Sequence, residues 1–102
     1  MSYAVVWEEE NGPVFAGRLE LRDGRLDLIG TALGSGPTRR TLHFSELGPV
    51  WVERRRTLRL VGRPTLVAEV AAGPRLRISS LDGAGALHEL AELLHAATGA
   101  AA

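Results

Sequence analysis

The sequence predicts a mainly β domain: a barrel of about seven antiparallel strands in two roughly orthogonal sheets, capped by one C-terminal α-helix at about residues 83–97. Three observations support this prediction. Turn-forming pairs such as Asn-Gly, Asp-Gly and Gly-Pro recur at short intervals, as they do in small all-β domains. The segments between them alternate apolar and polar residues, which is the period of a strand with one face in a core. This period becomes helical only after Asp82.

The first hairpin is predicted for residues 18–29. The segments RLELR (18–22) and RLDLI (25–29) alternate strictly, and the Asp23-Gly24 pair between them suits a type I′ turn, whose two central residues need positive φ. Four further segments show the same alternation: 41–44, 57–61, 65–70 and 75–79. Their apolar positions are expected on one face: Leu42, Phe44, Leu58, Leu60, Leu66, Ala68, Val70, Leu76 and Ile78. One apolar face per strand predicts an antiparallel sheet curled over one core.

The C-terminal segment is predicted to be an amphipathic helix of about four turns. One apolar stripe has helical spacing: Leu87, Leu90, Ala91, Leu94 and Ala97. The opposite face is polar: His88, Glu89, Glu92 and His95. Asp82 is the candidate N-cap and Gly99 the candidate residue after the C-terminus of the helix.

Composition restricts the classes of function. Twelve basic and twelve acidic residues give no net charge, and this disfavours a nucleic-acid partner, which usually requires a basic excess. The absence of cysteine excludes disulfides and thiolate metal sites, and suits a reducing compartment. The N-terminal residues show no leader pattern, so we expect a cytoplasmic protein. Every basic residue is arginine, as in proteins from GC-rich bacterial genomes, so a single arginine carries little functional weight.

Three stretches together resemble a bacterial pleckstrin-homology-like (PH-like, GRAM-related) domain: GRLELRDGRLDLIG (17–30), TLHFSELGPVWVER (41–54) and LRISSLDGAGALHELAELL (76–94). In the middle stretch the positions typical of the family are Leu42, Glu46, Leu47, Val50 and Val52. The resemblance covers nearly the whole chain and implies a single PH-like domain over residues 1–102. It also implies that the helix closes the open corner of the barrel with its leucine stripe.

Many eukaryotic PH-like domains bind phosphoinositides through basic residues that flank the first hairpin loop. The corresponding loop here, EEENGPVFAGR (8–18), contains Glu8, Glu9 and Glu10, which would repel a polyphosphate. Arg18 stands alone near the expected position. The resemblance therefore predicts the fold, and phosphoinositide binding is disfavoured.

Several arginines are candidate contacts for an anionic partner. Arg54, Arg55 and Arg56 are expected in the connection between two strands, where they are either a solvated turn or an anion contact. Further candidates for an anionic membrane surface are Arg39, Arg40 and Arg63. The glycine-rich segment 30–40 lacks the lysine of a phosphate-binding loop, so no cofactor is predicted.

Neither a metal site nor a catalytic site is predicted. His88, Glu92 and His95 share one helical face with ligand-like spacing, but a single helix supplies no enclosing fourth ligand. His43 and Ser45 share a strand face, but the sequence indicates no acid partner and no oxyanion donor for them.

Trp51 is the residue that most suggests a partner. It alternates with Val50 and Val52, so its indole lies outside if the two valines face the core, and inside in the opposite register. An outer tryptophan near Arg59 would be typical of a contact hot spot. We therefore expect a non-enzymatic binding or scaffolding module that contacts another protein or its own copy. The alternative is a weak, arginine-mediated association with an anionic membrane surface.

Overall fold

The computed structural model describes residues 2–10, 12–32, 36–53, 55, 60, 62–71 and 73–98. These residues form seven strands and one α-helix: β1 Ser2–Glu9, β2 Val14–Arg22, β3 Arg25–Thr31, β4 Thr38–His43, β5 Leu47–Glu53, β6 Thr65–Val70, β7 Leu76–Ser80 and α1 Ala84–Thr98. A 3-10 turn, Phe44–Glu46, joins β4 to β5. The predicted class, a mainly β fold of antiparallel strands with one C-terminal helix, is confirmed.

All seven strands of the described chain belong to one curled, antiparallel sheet in the order β4-β3-β2-β1-β7-β6-β5. The two halves, β1–β4 and β5–β7, join where β1 pairs with β7. No strict alternation marks β1, because its outward positions Ala4 and Val6 are apolar as well, and Val6 is buried. The strand at the centre of the sheet therefore has the weakest sequence pattern.

The first hairpin forms as predicted. Arg22 pairs with Arg25 across a two-residue turn, and Gly24 adopts a φ of 68°. β6 coincides with the predicted segment 65–70, and β7 is displaced by one residue. The predicted strand 57–61 lies outside the described residues except for Leu60, which is buried and bridges to Arg63.

The core lies between the concave face of the sheet and the helix. The predicted core positions of the described strands are found there: Leu42, Leu66, Ala68, Leu76 and Ile78 are buried, and Phe44 and Val70 pack at its margin. Leu47 and Val50 both reach this core although they are three positions apart, an odd spacing that places residues of a regular strand on opposite faces. A register shift between Leu47 and Val50 corrects the phase, because a bulge adds one residue to β5.

The helix packs against β5, β6, β7 and the 3-10 turn. Leu87, Leu90, Ala91 and Leu94 are buried as predicted, whereas Ala97 in the last turn is exposed. The helix begins at Ala84, and the residue directly before it is Gly83, with a φ of 107°. The predicted N-cap, Asp82, therefore lies one residue too early. Gly99 lies outside the described residues.

A partly buried hydrogen bond joins the helix to the central strand. The hydroxyl of Tyr3 on β1 donates to Oε1 of Glu89 at 2.8 Å. Burial, reinforced by the hydrogen bond and the negative charge of Glu89, raises the pKa of Tyr3 to about 12. The folded protein therefore favours the neutral form of the Tyr3 phenol.

We expect Leu90→Ala to lower the free energy of unfolding by about 2–5 kcal/mol, since truncating a buried leucine loses its contacts and leaves a cavity. The Leu90 side chain is 1 % exposed. Glu92→Ala, on the exposed face of the same helix, is the matched control and should change stability by less than about 0.5 kcal/mol. Urea unfolding of the two variants measures the difference, and equal effects would contradict the packing of the helix.

Tyr3 is the one tyrosine in the sequence, so the phenolate absorbance reports this residue alone. We expect an ionisation midpoint near 12, against about 10 in the unfolded chain. Because the folded pKa is the higher one, the stabilisation from neutral Tyr3 is complete below about pH 10 and is lost as the pH rises to the folded pKa. Glu89→Gln should lower the midpoint. A midpoint near 10 with the helical circular-dichroism signal intact would contradict the buried contact.

Candidate functional site

A concavity of about 180 Å³ opens on the inner face of the sheet, at the end of β1. Its lining residues come from β1, β4 and the start of β2: Trp7, Glu9, Gly12, Pro13, Phe15, Thr38 and Arg40. No residue of the helix is among them. The concavity is therefore a feature of the β1–β4 half of the sheet, at some distance from the leucine stripe that fills the other half.

Two aromatic rings form the apolar part of this concavity. Trp7 and Phe15 are cross-strand partners in β1 and β2, and their rings stack with centroids 4.4 Å apart and planes 24° from parallel. Trp7 is 1 % exposed. Stacking of this kind is favourable beyond the burial of the two rings, so it stabilises the wall that they form together.

Glycines on the neighbouring strands make room for the indole. Gly17 of β2 pairs with Gly30 of β3, and Gly30 pairs in turn with Thr38 of β4. A Cβ added at Gly30 would lie 3.1 Å from Nε1 of Trp7 and 2.9 Å from the carbonyl oxygen of Ala16. The N–H edge of the indole consequently rests on Gly30, on the β4 side of the ring.

The polar part of the concavity is an ion pair between Arg40 and Glu9. Nε of Arg40 donates to Oε1 of Glu9, and both side chains are about one-third exposed, at 39 % and 32 %. Nε1 of Trp7 is buried and has no hydrogen-bond acceptor among the described residues. Buried donors without an acceptor are rare in folded proteins. This one packs against Gly30, which does not line the concavity, so the N–H edge of the indole lies beneath the surface that a ligand would meet.

The candidate arginines do not gather into one patch in the described chain. Arg39 and Arg40 point to opposite faces of β4, because side chains alternate along a strand. Arg55 is exposed and pairs with Glu53 at 3.1 Å, and Nη1 of Arg63 donates to the carbonyl oxygen of Ser80 at 3.4 Å. Arg54 and Arg56 lie outside the described residues.

Arg39 belongs to a polar ladder on the outer face of β2–β4. Its centre is Asp27, which is 4 % exposed and accepts a 2.7 Å hydrogen bond from the hydroxyl of Thr41. This hydrogen bond lowers the pKa of Asp27, and the charges of Arg25, Arg39 and Arg22 lower it further against the opposing effect of burial. The positive charges of these arginines thus stabilise the ionised carboxylate of Asp27.

Trp51 lies on the outer face of β5. Val50 and Val52 face the core, so the indole points away from it and is half-buried. The guanidinium carbon of Arg75 is 5.8 Å from the centroid of the Trp51 ring, and Arg75 also pairs with Glu69 at 3.6 Å. Arg59, the expected neighbour, lies outside the described residues. The outer-face register of Trp51 is thereby settled, with Arg75 as its cationic partner.

The histidine-bearing face of the helix is only partly solvated. Glu92 is exposed, whereas His88 and His95 are half-buried, and Nδ1 of His95 is buried without a hydrogen-bond partner among the described residues. Among all the described residues, no three metal-binding side chains are grouped closely enough to hold an ion. His43 and Ser45 do not share a strand face, because β4 ends at His43 and Ser45 lies in the 3-10 turn.

The sequence did not single out the concavity. Glu8, Glu9 and Glu10 were expected in the first hairpin loop, but β1 extends to Glu9 and brings its carboxylate to Arg40. The available signal was the spacing of Tyr3, Val5, Trp7 and Glu9, which places all four on one face of a strand.

Comparison of the chain with protein-family models and with characterised proteins found no match. Among the described residues, no helix is both long and apolar enough to cross a bilayer.

Proposed function

We propose that this chain is a non-enzymatic binding module, a bacterial PH-like domain of the cytoplasm that contacts another protein or its own copy through the outer face of β5. The contact of Trp51 with Arg75 is the observation that carries this proposal. The order of seven antiparallel strands followed by a helix supports the family assignment, as does the burial of Leu42, Leu47 and Val50 in the core.

The Trp51 surface has the properties of a contact site. Tryptophan and arginine are the residue types most enriched at the energetic centre of protein interfaces. Here the indole is half-buried, and Arg75 is held both by the ring and by Glu69. These two contacts restrict the conformers of Arg75, which reduces the conformational entropy that it loses on binding a partner.

The contact is made by the face of β5 rather than by its edge. β5 is the last strand of the sheet order, and its outer edge pairs with no strand of the described chain. However, the register shift between Leu47 and Val50 bends this edge, and Pro49 provides no N–H for an added strand. Side-chain packing on Trp51 is therefore better suited to a partner than strand addition.

The arginine-mediated membrane alternative has less support. Arg40 and Arg55 are each paired with a glutamate, and Arg63 donates to a backbone carbonyl. These charges are already partly neutralised, which weakens their attraction to an anionic surface.

We expect Trp51→Ala and Arg75→Ala to weaken association by at least about tenfold, because hot-spot truncation costs about 2 kcal/mol or more. Arg18→Ala is a matched control: Arg18 also lies on the outer face and pairs with a glutamate, at 3.5 Å from Glu20. Light scattering over a concentration series measures self-association. Recovery of proteins from the source cells with each tagged variant measures other partners.

The result that supports the proposal is an oligomer or a recovered protein that persists in Arg18→Ala and is lost in both other variants. A monomer at high concentration whose recovered proteins are the same with and without Trp51 would contradict it. Binding to anionic but not neutral vesicles, unchanged by Trp51→Ala, would favour the membrane alternative instead.

A further inference from the structure

The concavity at Trp7 offers unused hydrogen-bonding groups of both kinds. The ion pair engages only Nε of Arg40 and Oε1 of Glu9. Among the described residues no other hydrogen bond engages Arg40 or Glu9, so the two terminal nitrogens of Arg40 and Oε2 of Glu9 remain for a ligand. Thr38 adds a hydroxyl. A ligand here can both accept from the nitrogens and donate to the carboxylate.

The size of the concavity restricts the ligand to about one ring. Its volume is about 180 Å³, and an apolar cavity of about 150 Å³ is large enough to bind benzene. Trp7, Phe15 and Pro13 supply apolar walls. A flat six-membered ring therefore matches both the volume and the surfaces that line it.

The charge of the concavity favours a neutral ligand. Arg40 and Glu9 neutralise each other, so an anion or a cation would have to displace one partner of the ion pair. A neutral ring with a carbonyl next to an N–H, the edge of a cyclic amide, needs no such exchange. Its oxygen accepts from a terminal nitrogen of Arg40, and its N–H donates to Oε2 of Glu9.

We propose that the concavity lined by Trp7, Phe15, Thr38, Arg40 and Glu9 binds a neutral six-membered heteroaromatic ring through a cyclic-amide edge, the chemical class of pyridones and pyrimidine bases. This site lies on the inner face of the sheet and is independent of the outer surface at Trp51. Binding places the aromatic ring of the ligand against the indole of Trp7, so the resonance of the indole N–H proton reports occupancy.

The probe is 2-pyridone, and the readout is the indole N–H signal of Trp7 in protein labelled with 15N. Trp51→Phe leaves Trp7 as the one tryptophan and identifies its signal, since the sequence contains two. We expect a saturable shift of this signal with a dissociation constant on the order of 1 mM, as suits so small a ligand. N-methyl-2-pyridone cannot donate to Glu9 and should bind about tenfold more weakly.

Arg40→Leu should weaken 2-pyridone binding about tenfold, because it removes the donors to the carbonyl. Arg39→Leu is the matched control on the other face of β4 and should leave the affinity unchanged. Circular dichroism confirms that both variants are folded. Three results would each overturn the proposal: no saturable shift of the Trp7 signal up to about 10 mM ligand, equal affinity for the N-methyl compound, or tighter binding of benzoate than of 2-pyridone.

Discussion

The pairing of β1 with strands on both of its sides is the constraint on which the rest of the structure depends. β1 pairs with β2 along one edge and with β7 along the other, so it joins two halves that otherwise share no strand pair in the described chain. Its inward residues then serve different purposes along its length. Tyr3 holds the helix, Val5 fills the core, and Trp7 forms the floor of the concavity. One strand thus couples helix docking to the shape of the inner surface.

The sequence pattern predicts strands well where one face is wet. β2 and β3 alternate because their outer residues are polar and meet solvent or one another, and the predicted segments 18–22 and 25–29 lie within these strands. β6 also forms where it was predicted, although its outer residues Thr65 and Val67 are buried. β1 is different, since Val6 is buried on the outer face and the run AVVW therefore has no polar partner positions. In β5 the bulge breaks the period between Leu47 and Val50, so alternation alone does not extend across it.

The candidate site was harder to predict because its polar partners are far apart in the chain. Glu9 and Arg40 are separated by 31 residues, and only the sheet order brings them together. Arg39 and Arg40 look like one cluster in the sequence, yet the pleat directs them to opposite faces and to different acids. For Trp51, alternation in the sequence is compatible with an inward or an outward indole. The burial of Val50 in the core shows that the indole points outward.

The two tryptophans consequently define two separate surfaces, one on each face of the same sheet, and both depend on the order of its strands. Amide hydrogen exchange tests that order most directly, because a strand paired on both sides opens only with the whole sheet. We expect the amides of Val5, Val6 and Trp7 to exchange as slowly as global unfolding allows, and more slowly than those of the edge strand β4. Exchange of these β1 amides at the rate of the β4 amides would contradict the central position of β1.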